Sequence, residues 1–180
     1  MAATDLLTNN GKLSQFDYKN VVTTALRVKD FKFAEQFING HKPKLKDEER
    51  DNAFTFNLAR LHFYRKDYKQ AMRLLQTVQY NDMFYQLDAK TTLIKCYYEL
   101  GEYALLMSLK DSFVKLLRRK KTTSEQHRIN YSNFIRFATK LFRLDVKDKK
   151  KLSELRIQFD NTVHVADKTW IGDKLTELGV

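Results

Sequence analysis

Helix breakers are almost missing from this chain. It has one proline, Pro43, and five glycines in 180 residues. Both are far below average usage, and sheets joined by tight turns need more of each. An all-β fold and a doubly wound α/β fold are therefore disfavoured. The single cysteine, Cys96, leaves no internal disulfide and no cysteine-based zinc site, which points to a reducing, cytoplasmic compartment. No apolar run approaches the roughly 18 residues of a membrane span, and mean hydropathy is −0.56. The opening residues MAATDLLTNNGKL show neither the basic nor the apolar region of a secretion signal.

Catalytic signatures are also missing. The scattered glycines build no phosphate loop, and there is no HExxH metal motif. His41, His62, His127 and His164 stand at least 21 residues apart. Cys96, beside Tyr97 and Tyr98, reads as a small buried apolar residue. Asp47, Glu48 and Glu49 are adjacent, so on a helix they point apart, and a helix N-terminus accounts for them. The chain reads as a non-enzyme with no cofactor.

What the chain does have is aromatic and apolar residues. Thirteen Phe, nine Tyr and one Trp stand in a sequence that is 43% hydrophobic, enough to bury a real core. An aromatic-rich chain with few breakers reads as packed helices. Start and stop signals give about nine of them. Ser14 starts one that runs to about Val28. Asp30 caps Phe31–Asn39, with Gly40 at a left-handed end and Pro43 beyond. The acidic cluster at 47–49 starts a third, to about Lys66. Asp67 starts a fourth, ending near Gln79. Asn81 or Asp82 caps a fifth, which Gly101 ends, and Glu102 starts a sixth, to about Lys120. One of Thr122, Thr123 and Ser124 caps a seventh, to about Leu144. Asp145 or Asp148 starts an eighth, and the ninth spans roughly His164–Leu178. No strand-length alternation appears, and the short connections predict antiparallel hairpins.

The helices repeat. With Val21, Leu58 and Leu93 as anchors, an aromatic follows ten residues later each time: Phe31, Tyr68, Tyr103. An acidic residue precedes it: Asp30, Asp67, Glu102. Three residues past it stands Ala34, Ala71 or Leu106. The phrases are KDFKFAEQF, KDYKQAMRL and GEYALLMSL. Helix–turn–helix units near 34 residues are the tetratricopeptide (TPR) signature, and residues 14–120 resemble that family. Leu58-Ala59 and Leu93-Ile94 stand at its Leu-Gly pair. Tyr18, Thr55 and Lys90 replace its early tryptophan, and its closing proline is absent. The resemblance implies an all-α, α–α superhelix of antiparallel hairpins. Residues 1–13 form a flexible lead-in, 14–121 three TPR-like hairpins, and 122–180 a divergent hairpin with a C-terminal capping helix, all one continuous domain. It further suggests the C-terminal section of a longer helical-repeat protein.

The resemblance also implies a concave groove lined by the first helix of each hairpin. Fixed offsets from the anchors put Lys19, Arg60 and Lys95 there as a cationic row. Phe56, Phe63 and Tyr98 would be its apolar anchors and Asn57 its amide. Cations hold carboxylates, amides hold backbone and rings bury an apolar side chain. Lys19 and Asn57 match the carboxylate clamp of chaperone-binding members of the family, whereas Thr23 and Thr92 depart from it. The implied function is a protein–protein interaction scaffold for an acidic peptide or partner segment.

Charge supplies the alternative. The chain carries 33 Lys/Arg against 22 Asp/Glu, and residues 110–156 hold 15 of the former and 5 of the latter. Arg118, Arg119, Lys120 and Lys121 form one cluster, and Lys147, Lys149, Lys150 and Lys151 another. One reading is a solvated helical face whose cations sit at helix C-termini and complement the dipole. The other is a docking surface for something acidic, which makes a nucleic-acid-binding α-solenoid the second functional class.

Overall fold

The computed structural model describes residues 8, 9, 11–79, 82–118 and 124–180. Among them the structure is all-α, with nine α-helices and one two-residue ribbon, β1 (Thr8–Asn9) with β2 (Lys12–Leu13). The helices are α1 (Gln15–Arg27), α2 (Phe31–His41), α3 (Asp47–Tyr64), α4 (Tyr68–Thr77), α5 (Met83–Leu100), α6 (Tyr103–Leu117), α7 (Glu125–Arg143), α8 (Lys149–Asp160) and α9 (Lys168–Glu177).

Local chemistry explains the boundaries. Ser14, Asp30, Asp67, Asp82, Ser124 and Asp148 each accept the backbone N–H three residues on, satisfying a donor that the first turn leaves unpaired. The repeated phrases fold into one turn, used three times. Lys29, Lys66 and Gly101 take left-handed φ values of 61°, 64° and 73°. Their N–H groups donate to Leu26, Phe63 and Tyr98, and the next N–H in each case donates to Ala25, His62 and Tyr97. That paired 5→2 and 6→1 pattern is a Schellman C-cap. The acidic residue completing it, Asp30 or Asp67, is also the N-cap of the following helix, so no residue is spent on a loop. Glu102 holds the same backbone position without a side-chain cap bond.

The chain divides into two compact units, Met1–Asn81 and Asp82–Val180. The third hairpin, α5–α6, thus belongs with the C-terminal helices. In the first unit α1–α2 and α3–α4 are antiparallel hairpins, with α3 packed on both α1 and α2. Tyr18, Val22 and Leu26 of α1 meet Ala34, Phe37 and Ile38 of α2 and Ala53 and Leu61 of α3 in one buried cluster. The Tyr18 hydroxyl donates to the Ile38 carbonyl at 2.7 Å, so the ring is both buried and satisfied. Arg65 reaches back to Glu35 at 2.7 Å and ties the two hairpins together.

In the second unit α5 packs on α6 and α7, α6 on α7, and α9 on α7 and α8. Thr91 to Tyr97 are buried without a break, so this stretch of α5 is enclosed on every side rather than amphipathic. Phe134 and Phe137 of α7 lie against Trp170 of α9 and Phe159 of α8, at 6.0 and 5.4 Å between ring centroids. Among the described residues no helix is long and apolar enough to cross a membrane.

Three local expectations change. Gly40 is not a left-handed stop: α2 runs through it to His41, and Pro43 opens the 3-10 turn Lys42–Lys44 instead. The chain turns there because Leu45 is buried and bridges Leu13, a tertiary contact that sets where the turn must fall. For the same reason the lead-in is structured at its end, with Leu13 buried. The aromatics after the turns, whose place in the repeat predicts rings buried as wedges between the two helices of each hairpin, are not buried. Phe31 and Tyr68 are half-buried and Tyr103 is 40% exposed, lying against Phe142. The close approach is made three residues later, by fully buried Ala34, Ala71 and Leu106.

Candidate functional site

The seven groove residues divide between the units, and most are not open to a partner. In the first unit, Phe56 and Asn57 of α3 are fully buried and Phe63 nearly so. The Asn57 amide donates to the Ala53 carbonyl of its own helix at 2.8 Å. Its Oδ1 finds no hydrogen-bond partner among the described residues. Lys19 is half-buried. Arg60, also half-buried, donates to the Thr23 hydroxyl at 2.6 Å and stands over the Phe56 ring. Thr23 is the residue that departs from the clamp pattern, and its hydroxyl is used by the next repeat's cation.

In the second unit, Lys95 is only 6% exposed and its ammonium meets the Asp167 carboxylate at 2.5 Å. Tyr98 lies edge-on to both Phe142 and Trp170, at 5.7 and 5.3 Å. Burial pushes its phenol above the usual range. One residue further on, Glu99 pairs with Lys174 at 2.7 Å. The expected open groove is thus corrected here: Phe56, Asn57, Phe63 and Lys95 are buried, and α9 covers Lys95 and Tyr98. Sequence reasoning missed Asp167 and Trp170 because they lie about 72 residues beyond the groove positions and no spacing rule links them.

The remaining candidate residues are placed as follows. Burial pushes the Cys96 thiol up to about 12, far from the thiolate a nucleophile needs. His62 is hydrogen-bonded to Asp67 at 3.1 Å, inside its own hairpin turn. Among the described residues no group of three His, Cys, Asp or Glu side chains comes together as a metal site.

The basic stretch is the exposed feature. Arg118 and Lys147, Lys149, Lys150 and Lys151 all face solvent, while Arg119, Lys120 and Lys121 lie outside the described residues. The placement of the lysine cluster is informative. Lys149, Lys150 and Lys151 are the first three residues of α8. The dipole there is positive, and cations in a first turn are disfavoured. Lys149 does complement a helix C-terminus, donating to the Leu178 carbonyl at the end of α9 at 3.1 Å, but that role does not account for Lys150 and Lys151. Asp148 offsets part of the cost by capping Lys151 N–H and pairing with its ammonium at 2.8 Å, which holds the Asp148 carboxyl below its ordinary range.

Lys151 lines a cleft of about 250 Å³ between α7 and α8. Lys140, Arg143 and Lys151 stand on its rim with Glu154 and Gln158, and Leu144 and Leu155 line it with apolar surface. Lys140 and Arg143 are on the same face of α7, three residues apart. Lys140 is steadied by Gln158 at 2.7 Å, and Arg143 by the Tyr103 hydroxyl at 2.9 Å. Arg143 thus has a task for the exposed Tyr103. Three cations over an apolar lining suit a carboxylate with a neighbouring apolar side chain. The chain matches no family model, no curated protein and no solved structure.

Proposed function

We propose that this protein is a non-catalytic protein–protein interaction module that binds an acidic segment on the α7–α8 face of its second unit. The observation that carries the reading is the position of Lys150 and Lys151 in the first turn of α8, with Lys151 lining a cleft beside Lys140 and Arg143. Helix stability alone disfavours that placement, whereas an acidic ligand uses it, because the helix N-terminus and the lysines attract the same charge. The apolar lining favours a peptide over a nucleic-acid backbone, which offers phosphates and sugars but no aliphatic side chain.

The test is a titration of the full chain with a labelled peptide alternating Glu and Leu, set against single-stranded RNA of similar charge. Lys140→Glu with Lys150→Glu should weaken the peptide by about tenfold or more, since a charge-assisted hydrogen bond contributes about 1.5–3 kcal/mol and 1.4 kcal/mol is a factor of ten. Tighter binding of RNA, with affinity falling steeply as salt rises, would transfer the surface to nucleic acid. Equal binding by parent and double variant would remove this surface as the site.

A further inference from the structure

We infer that the face shared by α5 and α7 is a receptor surface for a helix bearing a carboxylate, a large aromatic three residues later and a cation four beyond that, and that α9 occupies it as a built-in competitor. On α5, Lys95, Tyr98 and Glu99 share one face. On α9 and its cap, Asp167, Trp170 and Lys174 do the same. The contacts pair in order: Asp167 with Lys95 at 2.5 Å, Trp170 with Tyr98 at 5.3 Å, Lys174 with Glu99 at 2.7 Å. Phe134 of α7 backs the tryptophan at 6.0 Å. The two ion pairs have opposite polarity, so they read direction as well as charge. A helix laid in reverse would set carboxylate on carboxylate and ammonium on ammonium, and like-charge juxtaposition is a strong discriminator.

Helix α9 is held differently from the others. Its cap, Asp167, stands at φ 49°, ψ 44°, a left-handed conformation uncommon outside glycine. No side-chain cap bond is made there, in contrast to the six helices capped by Ser or Asp; the Asp167 carboxylate goes to Lys95 instead. The Trp170 indole N–H is buried and finds no acceptor among the described residues. Residues 161–167 ahead of it form neither helix nor strand. They are tied to α7 by Ala166 N–H on the Asn130 carbonyl and the Asn133 amide on the His164 carbonyl. Ten residues is too short for a stable helix away from its packing surface. The seat, more than the segment, therefore makes α9 helical. Buried Ile171 and Leu175 keep it in place, and tethering gives it a millimolar-scale effective concentration, so the unmodified chain is closed to competitors.

The experiment uses the full chain and a fluorescent peptide of residues 163–180. Asp167→Lys sets two ammonium groups together and should loosen α9, so this variant should bind the peptide at least tenfold more tightly than the parent. Adding Lys95→Glu restores an opposite pair and should close the site again. If Asp167→Lys stays helical yet binds no better than the parent, or if the double variant binds like the single one, the proposal fails. Hydrogen exchange on the unmodified chain covers the case in which Asp167→Lys does not fold. Amides of 168–177 should then exchange at least tenfold faster than those of Leu93–Tyr97 and Phe134–Ala138, and exchange in step with them would overturn the proposal. None of these readouts depends on the α7–α8 cleft.

Discussion

Arg60 in the first unit and Lys95 in the second hold the same place in the repeat, two residues after the anchors Leu58 and Leu93. Arg60 reaches the Thr23 hydroxyl, the residue at that same place one hairpin earlier, and stays half-buried. Lys95 meets a carboxylate 72 residues further along the chain and is buried. Three residues on, Phe63 lies against Tyr64 and Tyr68 of its own hairpin, whereas Tyr98 lies against Phe142 and Trp170. A repeat position fixes where a side chain starts and which face it leaves from. It does not choose the partner: in the first unit that is a neighbouring repeat, in the second a terminal helix.

The small-residue position should separate the units most sharply. Leu106 fills in the second unit the space that Ala71 leaves in the first, and both are fully buried. Leu106→Ala should cost about 2–5 kcal/mol through the cavity it leaves, and Ala71→Leu about 1–3 kcal/mol through overpacking. Both are large against a total near 5–15 kcal/mol, and a denaturant series on each variant measures them. Equal losses from Leu106→Ala and its reciprocal would mean that the two seams are packed alike.

Next come the cations. Lys95→Met removes the ammonium that meets the Asp167 carboxylate, and because that side chain is 34% exposed, water softens the penalty. A loss of about 1–3 kcal/mol is expected, against under about 1 kcal/mol for Arg60→Met. Matching urea midpoints for the two variants would erase the difference between the units.

The turns give a smaller, signed effect. Lys66 and Gly101 hold φ of 64° and 73° in the same turn. Lys66→Gly should raise the melting temperature by relieving a left-handed non-glycine residue, and Gly101→Lys should lower it, each through about 1 kcal/mol. A Cβ on Gly101 meets nothing within 4 Å, so the backbone alone is being tested.

The smallest effect lies at the tie between hairpins in the first unit. The hydrogen bond from Arg65 lowers the Glu35 pKa below 4.5. A carboxylate depressed on folding adds stability above its unfolded pKa and loses it as pH falls through the folded one. Arg65→Gln should therefore reduce stability slightly at pH 7 and leave it unchanged at pH 2, as thermal melts at the two pH values would show.

Much of the local structure was readable beforehand. The shared turn of KDF, KDY and GEY was visible because its chemistry lies within six residues: an acidic cap, a left-handed residue and a fixed spacing. The helix starts at Ser14, Asp30, Asp67 and Ser124 were visible for the same reason. Gly40 misled because a left-handed residue is used only where the chain must turn, and the Leu13–Leu45 bridge puts that turn later. Tyr103 misled because its wedge role belongs to Leu106, while its own hydroxyl serves Arg143. The α7–α8 cleft was half visible. Lys147 and Lys149–Lys151 stood out as a run, but Lys140 and Arg143 join them only because α8 folds back beside α7.

Helix content, most helix starts and the threefold turn were therefore decided by sequence, because caps and the turn's hydrogen bonds are satisfied within one or two turns of chain. Only the tertiary structure decided which surfaces are open. Burial of Phe56, Asn57 and Lys95, the seating of Trp170 on Tyr98 and the meeting of Lys140 with Lys151 depend on segments brought together by packing. Apolar burial is non-directional and acts at any sequence separation, so the spacing that marks a helix face cannot say what will cover it.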